Sequence, residues 1–306
     1  MALSLRSTTR PVARRSARPA LRSLDGPRHQ FVIGRSTFRF YLGDCVPVMG
    51  RLAPHSIDAI VTSPPYNLGI KYRTYEDDMP RADYLAWTDQ WLRAASRLSG
   101  PGASLFLNVG AKPTDPWIPL EVAQVARRYY KLQNTIHWVK SIAIDRESTS
   151  DASGIDRDLS VGHYKPINSE RFVNDCHEYI FHLTPAGTTK LDRRAVGVPY
   201  QDKSNATRWA TGGDGKRCRG NTWFIPYETI QSRDRDRPHP ACFPPKVPEQ
   251  CLRLHGVDRV TTVLDPFLGL GNTAIAAGRL GLNFVGIELD EHYLEEAVAR
   301  VREALT

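Results

Sequence analysis

Asp265-Pro266-Phe267-Leu268-Gly269-Leu270-Gly271-Asn272-Thr273 lies between the apolar run Val260–Leu264 and the helical pattern Thr273–Leu280. A short buried strand, a glycine-bearing turn and a helix, in that order, form the unit from which open α/β sheets are built. Gly269 and Gly271 let the backbone pass close to a ligand, and the amino end of the helix offers unpaired N–H groups. Seventeen residues after Gly271, the strand Phe284–Ile287 ends in Glu288, with Asp290 just beyond. A carboxylate there can accept hydrogen bonds from both hydroxyls of a ribose. On this pattern alone three readings stand. Gly269-x-Gly271-x-x-Ala274 with a distal acid fits the nicotinamide cofactor of an oxidoreductase, and it fits S-adenosylmethionine equally well. The third reading is a packing turn without a ligand.

A second strand-and-turn unit lies some two hundred residues earlier. The apolar run Ile57–Val61 leads into Thr62-Ser63-Pro64-Pro65-Tyr66-Asn67. Two consecutive prolines stop both ladder and helix and hold the backbone extended. The turn therefore presents the Ser63 hydroxyl, the Pro64 carbonyl and the Tyr66 ring at the carboxyl edge of a sheet, where open α/β folds keep their ligands. A flat ring with an amino group at its rim suits such a shelf. The competing reading is a proline-rich connector with one packing tyrosine.

Strands and helices alternate on both sides of an irregular middle. Thr37–Leu42 alternates like a strand and ends in Gly43-Asp44, with a short helix expected before Ile57. Residues 68–80 are polar and irregular. Arg81–Leu98 has helical spacing of Tyr84, Leu85, Trp87, Trp91, Leu92, Ala95 and Leu98, with Gly100-Pro101-Gly102 as its stop. The two tryptophans read as core. Ser104–Val109, Thr135–Val139 and Tyr179–Leu183 read as strands and Trp117–Tyr130 as a helix, with a further helix over Pro248–His255 and a last one from Glu291. Between Lys140 and about Pro238, periodicity fails and Gly, Ser, Asp and Arg dominate; so long an irregular stretch is functional more often than not. The expected fold is α/β, a Rossmann-like, doubly wound, mostly parallel sheet. Residues 29–306 form its domain, and 141–238 contain the irregular insert.

Charge follows the same division. The chain of 306 residues carries a formal +8, but residues 1–24 hold six arginines and no acid. Residues 190–237 hold eleven Lys and Arg against six Asp and Glu, and the remainder is slightly acidic. A near-neutral body with one basic insert fits an enzyme with a separate nucleic-acid-contacting region. Arg193, Arg194, Arg208, Lys216, Arg217 and Arg219 are its candidate contacts. Residues 1–28 are expected to be a disordered basic tail. Their Arg- and Ser-rich composition has three readings, a solvated tail in a bacterial cytoplasm beside the nucleoid, an over-extended start codon in an arginine-rich genome, and a mitochondrial transit peptide. No apolar run reaches the roughly 18 residues of a membrane-spanning helix. The five cysteines form no CxxC pair, and His239 with Cys242 lacks a second close pair, so neither a disulfide framework nor a metal site is expected.

The two glycine and proline constellations together resemble the DNA amino-methyltransferases that modify N4 of cytosine or N6 of adenine. The order is that of the β-type permutation, with the proline motif first, a target-recognition insert next and the cofactor motif last. The resemblance spans about residues 37–304. Val61-Thr62-Ser63-Pro64-Pro65-Tyr66 has the form usual in N4-cytosine enzymes, whereas N6-adenine enzymes more often carry Asp or Asn at the place of Ser63. Phe267-x-Gly269-x-Gly271 matches the cofactor motif, and Gly286-Ile287-Glu288-Leu289-Asp290 the ribose-binding strand end. Gly43-Asp44 matches the acid that contacts the cofactor's adenine. His239-Pro240-Ala241-Cys242-Phe243-Pro244 resembles the segment closing over the methionine part, and His177-Glu178-Tyr179-Ile180-Phe181-His182 the strand lining the target-base pocket.

The resemblance implies S-adenosylmethionine as cofactor, held by Asp44, Asp265, Phe267, Gly269, Gly271, Asn272, Thr273, Glu288 and Asp290. It implies double-stranded DNA as substrate and a cognate restriction endonuclease as companion. Catalysis falls to Ser63, Pro64, Pro65 and Tyr66. The lone pair of an aromatic amine is delocalised and poorly nucleophilic. Hydrogen bonds from the amine to the Ser63 hydroxyl and the Pro64 carbonyl pull its nitrogen towards tetrahedral geometry. Tyr66 is expected to stack on a base flipped out of the duplex. A C5-cytosine enzyme needs a nucleophilic cysteine, usually after proline, and no cysteine here follows one.

Overall fold

The computed structural model describes residues 26–162, 169–200, 215–226 and 242–306. Arg208, His239, the tail through residue 25 and most of Gly212–Gly215 lie outside these residues. The chain opens with the hairpin β1 (His29–Ile33) and β2 (Ser36–Leu42). Next come α1 (Cys45–Arg51), β3 (Ile57–Thr62), α2 (Arg81–Leu98), β4 (Ser99–Val109), α3 (Ile118–Ala126) and β5 (Lys131–Val139). The middle holds β6 (Ile142–Ile144), β7 (Leu159–Val161), β8 (His177–Thr184), β9 (Val198–Pro199), β10 (Lys216–Arg217) and β11 (Thr222–Phe224). The last elements are α4 (Lys246–His255), β12 (Thr262–Asp265), α5 (Asn272–Arg279), β13 (Asn283–Glu288) and α6 (Glu291–Leu305).

Nine strands make one sheet in the order β1-β2-β13-β12-β3-β4-β8-β5-β11. All run parallel except β1 and β8, which are antiparallel to their neighbours. Strand alternation sorts side chains to two faces. Ile57, Ile60, Leu105, Leu107, Val285 and Ile287 pack on one face with Met49, Trp91, Leu92 and Val122 of α1, α2 and α3. Ala59, Val61, Phe106 and Phe284 pack on the other with Leu252, Ile275, Leu294 and Val301 of α4, α5 and α6. Helices on both faces of a mostly parallel sheet give the expected doubly wound α/β fold. Its ligand edge is therefore the carboxyl end of the parallel strands.

The helices follow their apolar stripes. In α2, Tyr84, Thr88, Trp91, Leu92, Ala95 and Leu98 are buried at spacings of three and four. Burying a large apolar side chain contributes about 2–3 kcal/mol before the entropy of ordering it. In α6, Tyr293, Leu294, Ala297, Val298 and Val301 are buried, and Asp290 caps the helix by accepting from the His292 and Tyr293 N–H groups.

Four expectations need correction. The Gly100-Pro101-Gly102 stop lies inside β4, not after a helix: α2 ends at Leu98 with Ser99 as cap, and the chain enters the strand at once. A register shift against β3 between Ile57 and Ala59 accommodates the glycines and the proline. Helix α3 stops at Ala126, four residues early, because Arg128 and Tyr129 close tight turns onto Val125 and Ala126. The hairpin strand β1 begins at His29, and Arg28 of the expected tail already pairs with Glu291 at 2.9 Å. Finally, β11 adds an edge strand from within the irregular insert, through Trp223, which is 1% exposed. Three residues are too few to show a period.

Candidate active site

Strands β3 and β12 are neighbours, so the proline turn and the glycine turn leave the sheet side by side. Asp265 joins them. Its Oδ1 accepts from Thr62 Oγ1 at 2.7 Å and from the Phe267 N–H at 3.1 Å, and its Oδ2 accepts from Thr273 Oγ1 at 2.7 Å. Asp265 is buried, and burial pushes its carboxyl up to about 7 despite these donors. Expected as a cofactor ligand, its carboxylate serves here as the bolt between the two motifs. Thr273, fully buried, shares that role.

The glycine turn has the backbone that a ligand cradle requires. Gly269 and Gly271 have φ of 52° and 77°, the left-handed region that residues with a Cβ seldom adopt. A Cβ on Gly271 would also stand 3.2 Å from Ala297 and Val301 of α6. Phe267 is held edge-on by Trp87 and Trp91, with ring centroids 5.5 and 5.3 Å away, so both tryptophans brace the motif from the core. Asn272 is turned inward, donating to the Phe243 carbonyl at 2.7 Å and accepting from Arg300 at 3.2 Å.

Glu288 closes the other side of the cradle. Its Oε2 accepts from the Gly269 N–H at 2.8 Å, and its Oε1 from the Leu289 and Asp290 N–H groups at 2.9 and 3.0 Å. Burial nonetheless pushes its carboxyl up to about 7, with Asp290 adding to the rise. Asp290 itself spends Oδ1 on capping α6, while Oδ2 stands 3.7 Å from Arg73 in the 68–79 loop. Asp44 accepts from the Val46 N–H at 2.9 Å and so caps α1, and its neighbour Gly43 donates to the Glu288 carbonyl at 2.8 Å. Asp44 thus stands at the mouth of the same cradle. The fit to a ribose-bearing cofactor is good: a glycine backbone, a helix amino end and a half-buried carboxyl without a cationic partner among the described residues.

The proline turn rests on a polar cluster that sequence reasoning left out. Ser63 Oγ lies 2.6 Å from Tyr66 Oη. Tyr66 Oη donates to Glu178 Oε2 at 3.1 Å, and Asn108 Nδ2 donates to both Tyr66 Oη and Glu178 Oε2 at 2.6 Å. Lys140 Nζ donates to Glu178 Oε1 at 3.0 Å. These directions settle the one bond whose donor is ambiguous. A phenol has one hydrogen, and Tyr66 gives it to Glu178, so Ser63 must donate to Tyr66. Ser63 Oγ also accepts a long bond from Asn108 Nδ2 at 3.4 Å, which leaves its other lone pair to accept from a substrate. The Asn108 amide oxygen is buried with no partner among the described residues, a condition that calls for an explanation in a native site.

Tyr66 departs from its expected role as an open stacking face. Its ring is 9% exposed and packs in the core. A Cβ on Gly110, the residue after β4, would come within 3.0 Å of the ring and 3.1 Å of Glu178, so either side chain would have to give way to it. Tyr84 Oη donates to the Pro65 carbonyl at 2.9 Å and pins the turn from below. Beyond it, Asp77 accepts from the Asn67, Leu68 and Ile70 N–H groups, and Asn67 takes a φ of 59° to begin that loop. The signal for Glu178 was present: it is the lone acid of β8, in the segment that the resemblance places at the target-base pocket. For Asn108 and Lys140 no sequence pattern stood out.

The basic candidates sit elsewhere. Lys216 and Arg217 form β10, which pairs with β9 and leads into the edge strand β11. Arg193 and Arg217 are exposed. Arg219 donates to the Val196 carbonyl at 3.0 Å, and the Arg194 carbonyl accepts from the Gly197 N–H at 2.9 Å. Lys216, Arg217 and Arg219 precede the edge strand β11 directly in the chain. Among the described residues no group of three or more His, Cys, Asp and Glu side chains could hold a metal ion.

Known proteins share this fold. The type II methyltransferase M.ScaI of Streptomyces caespitosus is 29% identical over 272 residues, covering 85% of this chain and 80% of its own. A putative DNA modification methylase of Thermus thermophilus, solved in complex with S-adenosyl-L-methionine, superposes with a TM-score of 0.57 at 24% identity, covering 88% of this chain and 94% of its own. The cytosine-N4-specific PvuII DNA methyltransferase gives a TM-score of 0.61 at 15% identity, over 92% and 95% of the two chains. Residues 57–299, well over half of the protein, match the family model described as DNA methylase, and the chain belongs to that N6/N4 DNA methylase family.

Proposed function

We propose that this protein methylates the exocyclic amino group of a base in double-stranded DNA, N4 of cytosine by preference, with S-adenosylmethionine as donor. The observation that carries the reading is the oriented Ser63 hydroxyl on the strand next to the glycine cradle. When bound, the cofactor supplies an electrophilic methyl group on a sulfonium. Gly269, Gly271 and the amino end of α5 approach it through backbone, and Glu288 accepts from its ribose hydroxyls. Asp44, at the mouth of the cradle, is placed to meet its adenine.

The protein's own work is positioning. Ser63 Oγ and the Pro64 carbonyl accept the two amino hydrogens and so localise the nitrogen lone pair towards the cradle. The double proline and the Tyr84 contact hold that geometry without reorganisation, which is where most of the acceleration arises. The preference for cytosine rests on Ser63, which stands where N6-adenine enzymes more often have Asp or Asn. The relation to a type II methyltransferase supports a restriction-modification setting, with a cognate endonuclease as companion. Arg193, Arg194, Lys216, Arg217 and Arg219, together with Arg208, are proposed to contact the DNA backbone.

Incubating duplex DNA with methyl-labelled cofactor, digesting to nucleosides and separating them tests the reading. Label in N4-methylcytosine is expected. Label only in N6-methyladenine would move the target to adenine, and an unlabelled digest would remove the reading altogether.

A further inference from the structure

The cluster behind the proline turn has a direction as well as a shape. Ser63 donates to Tyr66 at 2.6 Å, and Tyr66 donates to Glu178 at 3.1 Å. The chain of hydroxyls starts at the hydroxyl that, with the Pro64 carbonyl, accepts from the target amine, and it ends on a carboxylate. The carboxylate accepts from Tyr66 and Asn108 through one oxygen and from Lys140 through the other, as an ionised, acceptor-only group does. Its side chain is 11% exposed and that of Lys140 19%, so the far end of the chain is largely enclosed beside the lysine, while Ser63 at the near end is partly exposed, where a substrate can reach it.

Methylating an aromatic amine creates a proton to be disposed of. As the new N–CH3 bond forms, the nitrogen becomes cationic and must lose one of its hydrogens to regain conjugation with the ring. We propose that this proton leaves through Ser63 and Tyr66 to Glu178. The N–H bond breaks and its electron pair stays on nitrogen. The proton passes to Ser63 Oγ, the serine's own proton to Tyr66 Oη, and the tyrosine's to Glu178 Oε2. Serine and tyrosine end neutral, and the carboxylate becomes a carboxylic acid that later returns its proton to water beside Lys140. Tyr66 is then a conductor, which explains why its hydroxyl is held by three partners and its ring is packed rather than open.

Among the described residues, the charged and titratable groups facing Glu178 are few. Lys140 comes from the end of β5, Asp175 and His177 precede it at the start of β8, and Tyr66 faces it from the proline turn. His177 is held below the usual histidine range by burial and by His137, so it is neutral near pH 7.

The proposal rests on the amino-methylating reading, and its test separates the two. Single-turnover methylation is measured from pH 5 to 9 for the wild type, Tyr66→Phe and Glu178→Gln, with cofactor affinity by calorimetry and folding by thermal unfolding. In wild type the rate is expected to fall at acid pH, and difference infrared spectra during turnover are expected to show a carboxylate becoming an acid. Both variants are expected to lose about 10²-fold in rate, the acid limb of the profile and the infrared signal, with cofactor affinity unchanged. Tyr66→Phe keeps the ring and the packing, so it decides the matter even where Glu178→Gln folds poorly. Wild-type rate, profile and infrared signal in Tyr66→Phe would overturn the relay. A wild type that methylates no amino group would instead overturn the underlying reading.

Discussion

Replacing Glu288 with Gln isolates the carboxyl on which the cofactor cradle depends. Burial holds that carboxyl at about 7 although three backbone N–H groups point at it. Ribose hydroxyls donate, so they bind the ionised form, and the protonated form must lose its proton first. The apparent dissociation constant then rises as pH falls through 7, by about tenfold at pH 6 and about a hundredfold at pH 5 relative to pH 8. For folding without cofactor the same shift has the opposite sign. A carboxyl raised above its unfolded value of 4.5 contributes stability below that pH and loses it as pH rises through 7. In Glu288→Gln the pH dependence from this group vanishes, and affinity at pH 8 drops by about 10- to 100-fold, the loss expected for hydrogen bonds to a charged acceptor. Isothermal titration calorimetry from pH 5.5 to 8, in buffers of different ionisation heat, reads both affinity and proton release. The cofactor's own amino group titrates near pH 8, so the quantity of interest is the difference between wild type and variant. Parallel pH profiles for the two proteins would refute the assignment of Glu288 as the ionising ligand.

Three further outcomes follow from the geometry. Thr62→Val removes one donor from the buried Asp265 and is expected to cost about 1–3 kcal/mol, seen as a lower midpoint in thermal unfolding; an unchanged midpoint would mean that the joint between the motifs carries no stability. Gly110→Ala places a methyl group 3.0 Å from Tyr66 and 3.1 Å from Glu178. Turnover is expected to fall about tenfold through displacement of the turn with calorimetric cofactor binding intact, and full activity would contradict the close packing. His182 and His255 share Ser104 at 2.9 and 2.8 Å and are held by burial at about 3 and about 4. A histidine lowered in this way contributes stability above pH 6.5 that is lost as pH falls towards its folded value. Denaturant unfolding at pH 6.5 and pH 5 should therefore show His182→Gln losing about 2 kcal/mol less than wild type over that interval. Asp265 and Glu288, both raised, act in the opposite sense there, so the comparison between proteins carries the result.

Much of the site was legible because turns advertise themselves. Two prolines after a β-branched run, and two glycines between a strand and a helix, are local signals that survive any tertiary arrangement. Strand β12, helix α5 and Glu288 at the end of β13 appear within a residue or two of their expected places. Less legible were the elements whose identity depends on a neighbour. The edge strand β11 exists because Trp223 is buried against β5, and the register shift that absorbs Gly100-Pro101-Gly102 exists because β3 holds β4 in line. Asn108, Lys140 and Glu178 come from three separate segments, and nothing in their local spacing announces that they meet. The roles of the acids also shifted with context. Asp265 and Asp290 look alike in sequence to ligand carboxylates, yet their oxygens are engaged by Thr62, Thr273 and the cap of α6.

The sequence by itself determined the alternation of strands and helices, the rigid presentation of Ser63 by two prolines, and the glycine cradle with an acid beyond it. Those properties depend on φ restriction, on the missing Cβ of glycine and on side-chain periodicity, all of which act within a few residues. Tertiary structure alone decided that β3 and β12 pair across some two hundred residues of chain, and so that the two motifs share one edge. It also decided which way the hydrogen bond of Ser63 points, since that follows from Tyr66 having a single proton and Glu178 lying within its reach. Long-range pairing selects neighbours from many compatible strands, and only the packed structure registers the choice.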